Sequence, residues 1–295
     1  MEMIFRGNAL LVPVNINGVS ALMILNTGSG ISMIDAAAVA DLHLQRRQLP
    51  SGVPLFSSDK RVNEIAHADD CTIGRTHYRG VDFLVLPLKI PSSSEGLPIV
   101  GGLGMDILGS IDLDLDFIHG KIGLFSQDHC PGQEVYWASR YDAVPIHRSA
   151  LGDFYFPMEL NGKKIQATLS TDNPVTTLGT DVPKKLYGFD EHAEGIETET
   201  DATGHVLAQY RAMALTTNGL KIMNARILLI EPHGPCKVIT PALAPDHAAT
   251  YDCLGSVPLK LGMNVIRKLH LYLAMKEKML HFTAAADDEA APALP

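Results

Sequence analysis

Two stretches of this chain recur in the same order, and a repeat of that kind restricts the fold more than any local pattern does. Asn17-Gly18 returns as Asn161-Gly162 after 144 residues, and at that offset Leu25, Asn26 and Thr27 fall on Leu169, Ser170 and Thr171. Leu103-Gly104-Met105-Asp106 returns as Leu261-Gly262-Met263-Asn264, with Leu113 and Leu115 falling on Leu271 and Leu273, now at an offset of 158. The second copy thus holds about fourteen extra residues between its matching parts. Each Asn-Gly lies between apolar runs, residues 12–16 with 20–25 and 156–160 with 165–169, the pattern of a tight β-hairpin. The expectation is two copies of one β-rich unit.

Bulk properties fit that division. The 295 residues, 46% apolar and 19% charged, suffice for two globular units of about 125 residues each. With 24 basic and 33 acidic residues the formal charge is −9, and no dense Lys/Arg face appears. A nucleic-acid partner is therefore not expected. Apolar runs such as 9–12 and 227–230 are too short to cross a bilayer, so no membrane span is expected. No secretory signal is visible at the N-terminus; a periplasmic or secreted location would follow if a leader precedes the recorded sequence. Cys71, Cys130, Cys236 and Cys253 form no C-x-x-C pair, which leaves free thiols and one or two disulfides both open. The twelve histidines are scattered, and no metal or cofactor is expected. Gly101-Gly102-Leu103-Gly104 lacks the third glycine and the long helix of a phosphate-binding loop, and the repeat accounts for it as core.

The stretch from Ile24 to Gly30 reads I-L-N-T-G-S-G, and residues 99–125 read IVGGLGMDILGSIDLDLDFIHGKIGLF. The Ile24 stretch resembles the active-site signature of aspartic peptidases, an apolar strand entering Asp-Thr-Gly. Residues 99–125 are similar to the strand, short helix and alternating strand that complete a retropepsin-like lobe. With the Leu-His-Leu-Tyr series of residues 269–272, the resemblance to bacterial retropepsin-like proteins runs from about residue 13 to 282. It implies an all-β fold of two lobes from an internal duplication, each with one or two short helices, forming a pseudo-dimer around a peptide cleft. The expected layout is a first lobe over 1–125, a connector over 126–144, a second lobe over 145–283 and a disordered tail over 284–295. The short helices are expected at 35–42 and 181–186, and the flaps at 58–71 and 201–215, with Asp59-Lys60 and Thr203-Gly204 near their substrate-binding tips. Trp137, the only tryptophan, reads as a packing anchor at the lobe junction.

Aspartic peptidases work with two carboxylates about 3 Å apart that share a proton, one activating water and the other donating to the developing oxyanion. Here the two positions are Asn26 and Ser170. Neither a carboxamide nor an unactivated hydroxyl is a general base at neutral pH, and losing such a base costs about 10²- to 10⁴-fold. Thr27, Gly28 and Thr171 keep the surrounding scaffold, while the counterpart of Gly28 is Asp172. Two steps beyond Ser170 on an extended chain, Asp172 could face the cleft floor. The Asn173-Pro174 that follows favours a turn-capping role for it. Asp106 and Asn264 read as helix-capping or loop-bracing groups rather than acids, and Asp112, Asp114 and Asp116 as the solvent face of an alternating strand, with a metal site as the lesser reading.

The expected function is that of an aspartic-type endopeptidase-family protein that binds an extended peptide or protein partner between its lobes, as a monomeric pseudo-dimer, with hydrolysis lost or strongly reduced. Asn26 would then replace an aspartate, by engineering or by natural change. The alternative is a non-catalytic pseudoprotease that acts as a peptide- or protein-binding module; a purely structural protein with a vestigial cleft is the third reading.

Overall fold

The computed structural model describes residues 1–49, 55–57, 60–88, 93–94, 96–129, 132, 134–149, 152–179, 195–200, 206–230, 237–239, 250–252 and 257–284. Both Asn-Gly pairs sit in hairpin turns with φ of 49° and 85° at Asn17 and Gly18, and 50° and 78° at Asn161 and Gly162. Consecutive positive φ values match the right-handed twist of the flanking strands, and Asn and Gly adopt them at least cost. Each asparagine also braces a neighbouring strand. Asp70 N–H donates to Asn17 Oδ1 at 3.0 Å, and Ala214 N–H to Asn161 Oδ1 at 3.0 Å.

From each hairpin a six-stranded barrel is built. In the first, Ala9–Ile16, Val19–Leu25, Leu97–Leu103, Met33–Asp35, Thr76–Leu86 and Glu64–Ile73 follow one another around the wall. Pairing of Ile16 with Cys71 and Val14 with Ile73 closes it. In the second, the order is Phe154–Leu160, Lys163–Leu169, Leu259–Leu261, Thr177–Gly179, Leu220–Ile230 and Val206–Thr217, closed by Leu160 on Leu215. Corresponding pairs are parallel in both: Leu97–Leu103 on Val19–Leu25 and Leu259–Leu261 on Lys163–Leu169. The close packing of the first crossing explains Gly101, where a Cβ would lie 2.1 Å from Met33 O.

Alternation in Ala9–Ile16 sends Leu10, Val12, Val14 and Ile16 into the main core. Leu11 faces the other way and is covered by Leu22 and Ile99. Cys71 is a free, fully buried thiol in that core. The other three cysteines lie outside the described residues. Burial first, then the charge of Asp70, pushes the Cys71 thiol up to about 12. Native protein is therefore expected to resist alkylation at pH 8, with the thiol titrating only on unfolding, as mass spectrometry of iodoacetamide adducts with and without denaturant would check. Between the ordinary thiol value of 9.0 and about 12, the folded chain keeps a proton that the unfolded chain releases, so this group's contribution to stability declines as pH rises through that window.

The lobes share a third sheet, ordered Lys121–Phe125, Asp112–Asp116, Leu269–Ala274, Met279–Ala284 and Asp142–Pro145. Strands far apart in the sequence meet at its centre, Leu113 pairing with Leu273 and Leu115 with Leu271. This corrects the solvent-facing reading of the acidic strand: Asp112 and Asp114 are 0% and 3% exposed, because the strand is central and covered on both faces. Their carboxylates are met by His129 and His270 at 2.6 and 2.7 Å, and by Tyr272 and Tyr136. Asp116 alone follows expectation, partly exposed and bonded to His119. Trp137 is the anchor expected of it, stacked on His270 with ring centroids 3.9 Å apart and donating Nε1–H to Thr283 Oγ1 at 3.0 Å.

The expected helix at 35–42 is not one. Asp35 ends a strand, residues 36–43 form turns, and Leu42 N–H to Ala38 O is their i to i−4 bond. Asn17 Nδ2 takes the carbonyls of Leu42 and His43 at 3.2 and 3.1 Å, so tertiary bonds outweigh the alanine-rich propensity there. The helix expected at 181–186 lies outside the described residues. The helices described are Met105–Leu108 and Met263–Ile266, at equivalent places in the two lobes. Ala284 belongs to the last strand, and the rest of the expected tail, 285–295, lies outside the described residues. Among the described residues no helix is long and apolar enough to cross a membrane.

Candidate functional site

Asn26 and Ser170 each follow the inner strand of a hairpin, and both backbones are held alike: Asn26 N–H donates to Leu103 O and Ser170 N–H to Leu261 O, each at 2.9 Å. The next bond repeats too, Met105 N–H to Ser29 O and Met263 N–H to Asn173 O at 2.8 Å. Both glycines before the helices are required by close approach. A Cβ at Gly104 would lie 2.5 Å from Ile31 C, and one at Gly262 would lie 2.3 Å from Val175 C.

Asp106 and Asn264 brace these loops, as their place in the repeat suggests. Asp106 accepts from Ser32 N–H at 2.9 Å and Ser32 Oγ at 2.6 Å. Asn264 Oδ1 accepts from Thr176 N–H and Oγ1 at 2.8 and 2.9 Å. Asp106 Oδ1 also accepts Ile107 N–H at 2.9 Å in the first turn of its helix, while the N-cap residues are Gly104 and Gly262.

Between the lobes Thr27 and Thr171 bond reciprocally. Thr27 N–H donates to Thr171 Oγ1 at 3.2 Å and Thr171 N–H to Thr27 Oγ1 at 3.4 Å. Each hydroxyl also donates to a carbonyl of the opposite strand, Thr27 to Leu169 and Thr171 to Leu25. Both side chains are buried, at 3% and 0% exposure. Thr27→Val would leave Leu169 O and Thr171 N–H without this partner, and a loss of about 1–3 kcal/mol is expected in urea unfolding.

The loops so fixed bring Asn26, Ser170 and Asp172 together. Gly28 N–H donates to Asn26 Oδ1 at 3.1 Å, which leaves Asn26 Nδ2 to donate to Asp172 Oδ2 at 2.9 Å. Ser170 Oγ donates to Asp172 Oδ1 at 2.8 Å. One carboxylate thus spans both expected dyad positions. A Cβ at Gly28 would meet Ser170 Oγ at 2.7 Å, so glycine is what lets the loops approach. The turn-capping role expected of Asp172 is not its observed contact. The turn is closed instead by Asn173 N–H on Ser170 O at 3.1 Å, and the side chain folds back toward Asn26.

At the expected flap positions, Leu55–Ser57 pairs with Lys60–Val62 and Ile196–Thr200 with Val206–Thr217, while Glu64–Ile73 and Val206–Thr217, which take in most of the expected flap ranges, are strands of the barrel walls. Lys60 lies on a described strand, while Asp59, Thr203 and Gly204 lie outside the described residues. A groove of about 930 Å³ runs along the second lobe past His147, Tyr155, Glu159 and Lys164, and none of its lining residues belongs to the Asn26 site. Among the described residues, the set of side chains with metal-ligand spacing also lies elsewhere, around Asp112.

Residues 12–107 match the family model described as aspartyl protease, about a third of the chain, which takes in Asn26, Thr27, Gly28 and the Gly104 segment. The structure is similar to that of conglutin gamma, a basic 7S globulin from lupine seeds, at 9% identity over 98% of this chain and 96% of that one, with a TM-score of 0.47. Comparison with curated proteins gives no match.

Proposed function

We propose that this chain, whose residues 12–107 match the aspartyl protease family model, binds extended peptides between its two lobes and hydrolyses them poorly or not at all. The observation that carries the reading is the contact of Asp172 with both Asn26 and Ser170. Peptide hydrolysis at such a site calls for a base to take a proton from water and an acid to protonate the oxyanion. Of these three side chains only Asp172 titrates, and its neighbours are a carboxamide and a hydroxyl. Asn26 and Ser170 can orient a carbonyl or a water, but they cannot exchange a proton with Asp172 in the way a second carboxyl group would.

Binding makes smaller demands than cleavage. An extended peptide needs backbone partners along a strand edge and pockets for alternate side chains, and the role of flap is one we assign to the paired strands Leu55–Ser57 with Lys60–Val62 and Ile196–Thr200 with Val206–Thr217. We also read the matched contacts at Asn26 and Ser170, and at Met105 and Met263, as the mark of an internal duplication.

The test is incubation of the chain with a mixed peptide library between about pH 3 and pH 7, with retained and cleaved peptides read by mass spectrometry. Retention of extended peptides without new termini is the expected outcome. Rapid turnover by the unaltered chain would overturn the loss of catalysis, and failure to retain any peptide would overturn the binding role.

A further inference from the structure

On the shared sheet, three side chains from three separate segments converge: Asp112 from the first lobe's central strand, His129 from the connector, and Glu277 from the turn between the last two strands. Asp112 Oδ2 lies 2.6 Å from His129 Nε2, and Glu277 Oε2 lies 3.9 Å from the same nitrogen. All three ligand-type atoms lie within 4.8 Å of one another. Asp112 is held in place independently of the other two, since its Oδ1 accepts Met275 N–H at 2.8 Å and Tyr272 OH reaches its Oδ2 at 3.3 Å.

An ion pair between Asp112 and His129 would explain that contact and no more. Glu277 Oε2 is buried and accepts no hydrogen bond. His281, 7% exposed, has neither ring nitrogen hydrogen-bonded, and the charges acting on its ring are those of Glu134, Glu277 and Asp112. Asp112 is fully buried, Glu134 is 6% exposed and the Glu277 side chain 19%. Negative charge removed from water in this way calls for a cation or a full set of donors.

We propose that Asp112, His129 and Glu277 are the protein ligands of a divalent transition-metal ion of the zinc class. One imidazole and two carboxylates form a borderline donor set that suits such an ion better than calcium or magnesium. Bonds of about 2.1 Å in tetrahedral array put ligand atoms about 3.4 Å apart, a spacing that the observed 2.6 and 3.9 Å bracket. The imidazole would bind through Nε2, the ring nitrogen that faces Asp112 and Glu277. Water takes the remaining position. The metal fastens the connector and the last turn to the first lobe's strand, and none of its ligands belongs to the Asn26 site.

The experiment uses the full chain, stripped with chelator and dialysed, with zinc titrated by calorimetry and thermal unfolding followed by circular dichroism. One equivalent is expected to bind and to raise Tm by about 5 °C or more at saturation. His129→Ala and Glu277→Gln should each abolish the stoichiometric site and the Tm rise. Glu277→Gln is the safer variant for folding, because it keeps the shape of a partly exposed turn residue. Failure of the unaltered chain to bind one equivalent would overturn the site, as would an equivalent and Tm rise that persist in both variants.

Discussion

Asn26→Asp is expected to switch on acid-dependent peptide hydrolysis, raising the cleavage rate by about 10²- to 10⁴-fold over the unaltered chain. The reason is a distance. Asn26 Nδ2 lies 2.9 Å from Asp172 Oδ2, so an oxygen in place of that nitrogen would put two carboxylates at the separation of about 3 Å where like charges cannot both ionise and one proton is shared. The new carboxylate would keep the Gly28 N–H that Asn26 Oδ1 now accepts at 3.1 Å, and the Ser170 hydroxyl would still hold the far oxygen of Asp172. Sequence offsets alone suggest that this substitution rebuilds half of a pair, because Ser170 stands at the second position. On the proposed reading, Asp172 would supply the other half. Activity should peak below neutrality, where one of the two carboxyls is protonated, and the double substitution Asn26→Asp with Asp172→Asn should return to background. Cleavage by that double variant as fast as by the single one would rule out the pairing. A single variant that retains peptides and cuts none would leave a pure binding role.

The second large effect lies in the shared sheet. His270→Ala should destabilise the chain by about 3–5 kcal/mol, because it leaves a buried carboxylate without its main partner. His270 and Asp114 are 2% and 3% exposed and meet at 2.7 Å across the central strand pair. Tyr136 would remain on Asp114, and the stack of Trp137 on the imidazole would be lost as well. Asp116→Asn is the control, since its partner His119 has a side chain 62% exposed, and such pairs contribute about 0–1 kcal/mol. Urea unfolding of both variants reads the difference. A loss under about 1 kcal/mol for His270→Ala would show that the pair is not what secures this sheet.

The parts of the fold legible in the sequence are those specified by local backbone demands. Asn17-Gly18 and Asn161-Gly162 announce their turns because consecutive positive φ values admit few residue types. Gly104 and Gly262 sit where neighbouring backbone leaves no room for a Cβ, so the repeat preserves them. Asn26, Ser170 and the two threonines can be placed from the offset alone. The rest depends on three-dimensional neighbours. The acidic strand reads as half-solvated because period-2 reasoning assumes one open face, and nothing near Asp112 announces that residues 269–274 lie alongside it. Residues 35–42 suggest a helix by alanine content, while the bonds from Asn17 that stop it come from a hairpin 25 residues earlier. Asp172 is legible as a candidate by spacing, but the fold-back that sets its carboxylate between Asn26 and Ser170 depends on both loops being locked together.

The central pairing of Asp112–Asp116 with Leu269–Ala274 also bears on the order in which the molecule can be completed. His270 and Asp114 are separated by 156 positions, among the costlier kinds of contact for a chain to find. During synthesis the first barrel can close on its own strands as it emerges, yet its acidic strand has no partner on that side until residues 269–274 have been made. Until then Asp112 and Asp114 stay in water, where their charges are harmless and keep an open strand edge from pairing with a neighbouring chain. The same carboxylates that need partners in the finished sheet would thus protect the unfinished one.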